Sequence, residues 1–64
     1  MIDKKRFETY LLANIVISKS MRDRADKDLS KAKTQEQKSI FYVAGIRADE
    51  RIKVYEELLR KLGE

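Results

Sequence analysis

Ile40-Phe41-Tyr42-Val43-Ala44-Gly45-Ile46 is a run of seven residues without a charge, set inside a segment that otherwise mixes charged and apolar residues at helical spacing. On a helix such a run is apolar all the way round, and a single helical neighbour covers only one stripe of it. The run therefore predicts a helix with a second partner beyond its neighbour in the chain.

The helix carrying this run is expected over about 35–62. Thr34 and Gln37 stand at capping-box spacing before it, and Gly63 is read as its C-terminal stop. Phe41, Ala44, Ala48, Ile52, Tyr55, Leu58, Leu59 and Leu62 form its stripe, while Asp49/Lys53, Glu56/Arg60 and Glu57/Lys61 are acid-before-base pairs at i,i+4. Gly45 in mid-helix costs about 1 kcal/mol relative to Ala, which points to a packing reason for it. With Ala44 and Ala48 it makes a shallow patch open to another backbone.

A first helix is expected over about 4–31, with Asp3 as N-cap and Phe7, Tyr10, Leu11, Asn14, Ile17, Ser18, Met21 and Ala25 on one face. Ser20 followed by Asp23 reads alternatively as a fresh cap, which makes a three-helix bundle. The turn, about 32–34, contains neither Gly nor Pro, so one continuous helix over 20–62 is the other alternative. A hairpin centred there predicts facing residues whose numbers sum to about 65, because both helices rise equally per residue. Phe7 then faces Leu58, Tyr10 faces Tyr55, Ile17 faces Ala48, Met21 faces Ala44, and the polar Asn14 and Arg51 share a rung.

The chain has 64 residues, no Cys, no His and no Pro, with 41% charged and 42% apolar residues. This composition fits an all-α protein. A chain so short buries only about 60% of the surface its unfolded form exposes, and without disulfides or thiolate-bound zinc the remaining staple is oligomerisation. Residues 1–33 hold nine Lys/Arg against five Asp/Glu, and the remainder six against six, so the net charge of +4 belongs to the first half. The basic opening Met1 to Arg6 and the apolar Tyr10 to Ile17 have the outline of a leader. Asn14 interrupts that run, however, and no small-residue cleavage site follows, while a membrane span requires about 20 apolar residues. A cytoplasmic protein without a membrane segment is the expectation.

Without His, Cys or a Gly-rich phosphate loop, the usual nucleophile, imidazole and phosphate-cradle arrangements are missing, so no enzyme activity and no cofactor are expected. Asp23, Asp26 and Asp28 alternate with Arg22, Arg24 and Lys27, which neutralise any site for a hard cation, so no metal is expected either. Arg22, Arg24, Lys27, Lys31 and Lys33 have the charge to contact nucleic-acid phosphates, the alternative to a protein-contact role. The inferred architecture resembles, in shape and length, the αα-hairpins that pair into four-helix bundles. The leading expectation is thus a small regulatory or adaptor homodimer, held by the outward Leu12, Ile15 and Val16 on the first helix and Tyr42, Val43 and Ile46 on the second. An unidentified protein is the other partner such patches fit.

Overall fold

The computed structural model describes residues 3–64, with Met1 and Ile2 outside the described residues. Two α-helices, α1 (Lys4–Lys31) and α2 (Gln35–Gly63), pack side by side as an antiparallel hairpin of 49 × 16 × 14 Å. α1 runs unbroken through Ser20, and the chain turns at 32–34, so the three-helix and continuous-helix alternatives both fall away.

The caps are those the sequence indicates. The Asp3 carboxylate accepts from the Lys5 and Arg6 amides at 3.0 and 3.4 Å, and Thr34 Oγ1 accepts from the Gln37 amide at 3.1 Å. Gln37 Oε1 reaches back to the Lys33 amide, closing the reciprocal pair one residue earlier than the usual box. Ala32 (φ −65°, ψ 135°) and Thr34 (φ −113°, ψ 156°) are both extended, and no described residue has positive φ. A turn built from two extended caps needs no glycine, which explains why the sequence supplies none. Gly63 does not stop α2 either. The helix runs through it, and Glu64 is the cap.

The extended connection also resets the register. Arg22 Nη1 donates to Asp49 Oδ1 at 3.3 Å, and a Cβ built on Gly45 would lie 3.8 Å from Ala25 Cβ. Facing numbers thus sum to about 70 rather than 65: the three-residue connection, extended at Ala32 and Thr34, can carry the chain roughly 10 Å, so α2 starts beyond the end of α1. The rungs expected from the sequence are displaced accordingly, and Asn14 does not face Arg51.

The buried and half-buried residues recur in alternating steps of three and four. On α1 they include Leu11, Ile15, Ser18, Arg22, Ala25 and Leu29; on α2 they include Phe41, Gly45, Ala48, Ile52, Tyr55, Leu59 and Leu62, with the half-buried Asp49 beside that line. An average step of 3.5 keeps two long helices in contact along their whole length. This seam is rotated from the expected stripe. Tyr10, Ile17 and Met21 are 50–55% exposed and Leu58 40%, whereas Ile15, expected to point outward, is buried at 7%. Ile15 follows Leu11 by four residues and precedes Ser18 by three, so it lies on the shared seam and is unavailable to a partner.

Gly45 has no tight neighbour. Its built Cβ meets only Ala25 Cβ and Asp26 Oδ1, at 3.8 and 3.9 Å, which is ordinary van der Waals contact. The packing reason expected for it is not found within the hairpin. Gly45→Ala is accordingly expected to stabilise the fold by about 1 kcal/mol through reduced freedom of the unfolded helix, measured by urea unfolding at fixed protein concentration. A loss of stability would show that something outside the hairpin approaches the α2 backbone there.

Candidate functional site

A second heptad line runs beside the first on each helix. On α1 it passes Tyr10, Asn14, Ile17, Met21, Arg24 and Asp28; on α2 it passes Ile40, Ala44, Arg47, Arg51, Val54 and Leu58, again in steps of four and three. At 100° per residue both lines lie on the same side of the hairpin. Between them, in the half nearer the turn, lies an open groove of about 450 Å³ whose lining includes Met21, Ala25, Ala44 and Ala48, with Arg24 and Arg47 beside it. The half nearer the termini carries the larger side chains Tyr10, Ile17, Val54 and Leu58, all 40–57% exposed. Phe7 and Tyr10 stack with ring centroids 6.2 Å apart, and Asn14 Nδ2 donates to the Tyr10 carbonyl at 2.8 Å. The Asn14 amide oxygen is left available.

The opposite side holds the residues expected to form the interface. Leu12, Val16, Tyr42 and Ile46 are 41–68% exposed, and Val43 is 44% exposed toward the outside of α2. Leu12 and Val16 lie toward the termini, and Tyr42 and Ile46 toward the turn. Between them Arg22 joins Asp49 at 3.3 Å and Asp23 at 3.9 Å. The structure thus brings Tyr42 and Ile46 together but separates them from Leu12 and Val16 by charge. The sequence reading missed the first face because it assigned Tyr10, Ile17, Met21, Ala44 and Leu58 to the intrachain stripe. The signal was present as a stripe too wide for one neighbour.

The cations divide as well. Arg22 is turned into the seam and paired, while Arg24, Lys27 and Lys31 share the outer surface of α1 and Lys33 sits in the turn, all exposed. Among the described residues Arg24, Arg47 and Arg51 have no ion-pair partner. Of the helical pairs expected, Glu57 to Lys61 is present at 4.0 Å, but Arg60 pairs with Glu57 and Glu64 at 2.6 Å each rather than with Glu56. Asp49 is drawn across to Arg22 instead of Lys53.

The hydrogen bond from Arg60, and then its charge, hold the Glu57 carboxyl below its ordinary value, and Glu57 raises Arg60 in return. A carboxylate with a depressed folded pKa contributes stability above its unfolded pKa and loses it as the pH falls through the folded one. Both groups are exposed, so the effect is confined to the last turn of α2. Carboxyl NMR should find Glu57 titrating below a free glutamate, with most of the difference removed by Arg60→Gln and the remainder owed to Lys61.

The chain matches no protein-family model, and no curated protein or solved structure is detectably similar to it. Function rests on the surface alone. Among the described residues no helix is long and apolar enough to cross a membrane, and no group of three or more acidic residues is placed to hold a metal ion.

Proposed function

We propose that the protein is a non-catalytic regulatory or adaptor module that acts through protein–protein contact as a helical homodimer, two hairpins forming a four-helix bundle. The observation that carries this reading is the paired second heptad line, because a helix in a four-helix bundle needs one seam for each of two neighbours. Area supports it. A compact monomer of 7.6 kDa exposes about 4,300 Å², against 5473 Å² for this hairpin. Covering an excess of about 1,200 Å² on each of two copies buries roughly 2,400 Å², within the range of obligate homodimers.

The experiment is dilution. Folding coupled to association makes the melting temperature depend on concentration, so circular dichroism melts should shift downward as the protein is diluted, and light scattering should give twice the chain mass. A monomer that stays folded at low micromolar concentration defeats the homodimer and leaves the face for a different protein.

The rival reading is a nucleic-acid-binding hairpin, favoured by the shared outer surface of Arg24, Lys27 and Lys31. It predicts retention on DNA or RNA that falls steeply with salt, because phosphate contacts release counterions. The aspartates among these cations weaken that reading.

A further inference from the structure

Resting on the homodimer reading, we propose that the second copy docks antiparallel on the face formed by the two outer heptad lines, with α1 against the partner's α1 and α2 against the partner's α2 about a two-fold axis level with residues 19 and 51. Such an axis reverses the direction of each helix, so facing residues on a helix pair must have numbers with a constant sum. On α1 the line is symmetric about position 19: Tyr10 faces the partner's Asp28, Asn14 faces the partner's Arg24, and Ile17 faces the partner's Met21, each sum being about 38 at equal rise per residue. The register fixed by Ala25 beside Gly45 and Arg22 bonded to Asp49 pairs levels whose numbers sum to about 70, so an axis level with residue 19 passes Arg51 on α2, where Ala44 faces the partner's Leu58 at a sum of about 102 and Arg47 faces the partner's Val54 at about 101.

The chemistry of the pairs agrees. The Asn14 oxygen meets a guanidinium, a tyrosine hydroxyl meets a carboxylate, an apolar pair lies between, and the Leu58 ridge enters the alanine-floored groove. The other two-fold, parallel to the hairpin axis, sets residues of equal level against each other. It places Arg24 against the partner's Arg47 twice, and gathers six unpaired guanidiniums in one band, which like-charge repulsion opposes. The antiparallel axis leaves one such conflict, Arg51 against the partner's Arg51.

Cysteine placement tests the arrangement in a chain that has none of its own. In a glutathione redox buffer Arg51→Cys alone should cross-link into a covalent dimer, since it faces its own copy across the axis. Ala44→Cys and Leu58→Cys should stay monomeric on a non-reducing gel when separate, and link when combined in one chain. Within a chain those two positions lie about 21 Å apart, too far for a disulfide. Arg51→Leu should also tighten the dimer roughly tenfold by removing the repulsion at the axis. Cross-linking of Ala44→Cys alone, or a wild-type dimer in which neither Arg51→Cys nor the double variant links, overturns the arrangement. A wild-type monomer in light scattering refutes the homodimer itself, and the arrangement with it.

Discussion

Leu11→Ala is expected to leave most of the chain unfolded at 25 °C. Among the described residues Leu11 is the least exposed large side chain, at 1%, and the other buried apolar residues are Ile15, Ala25, Ala48 and Ile52. Truncating a buried leucine costs about 2–5 kcal/mol, from lost transfer free energy and from the cavity left behind. A hairpin of this size holds no more than roughly 3–5 kcal/mol from its core, so the loss consumes most of what is there. The neighbour Leu12, 46% exposed, is the control: Leu12→Ala should change stability by less than about 1 kcal/mol. Urea unfolding followed by circular dichroism, with all variants at one concentration, separates the two. Equal effects at 11 and 12 would mean that the seam is rotated from the one described.

How far the fold was legible depends on what local chemistry decides and what it leaves open. Asp3 and Thr34 announce their helices because capping is a short-range bond between a side chain and amides two or three residues on. Both helix starts were therefore readable. The rotation of the seam was not, since α1 carries two adjacent heptad lines, and Tyr10 or Leu11, Ile17 or Ile15, serves equally well as an inward residue when α1 is considered alone. The choice is made by the register, and the register is made by how far the three turn residues carry the chain. Nothing in the identities of Ala32, Lys33 and Thr34 dictates that distance. The same ambiguity hid the candidate face: Tyr10, Ile17, Met21, Ala44 and Leu58 were assigned to the core, and Ile15, a seam residue, was placed in the outward set, whose other members are exposed.

In the proposed homodimer, Leu58→Glu should separate the two copies, and Ile46→Glu should not. The two side chains are almost equally exposed in the hairpin, 40% and 41%, and stand on opposite faces, so the comparison isolates the face from the chemistry of the change. A two-fold interface repeats every contact, so Leu58→Glu removes two buried leucines, each worth about 1.5–3 kcal/mol, and sets two carboxylates in alanine-floored grooves. The dissociation constant should rise by a factor of at least about one hundred. Ile46→Glu replaces a side chain that remains in water, with a change of less than about threefold. Sedimentation equilibrium across a concentration series reads both, and circular dichroism at high concentration checks that each variant is folded. The reverse ranking would move the interface to the side of Leu12, Val16, Tyr42 and Ile46. In that case the Arg22 to Asp49 ion pair, now at the middle of an exposed surface, would have to be buried between the two copies, and breaking it with Asp49→Ala would weaken the dimer as strongly as Ile46→Glu.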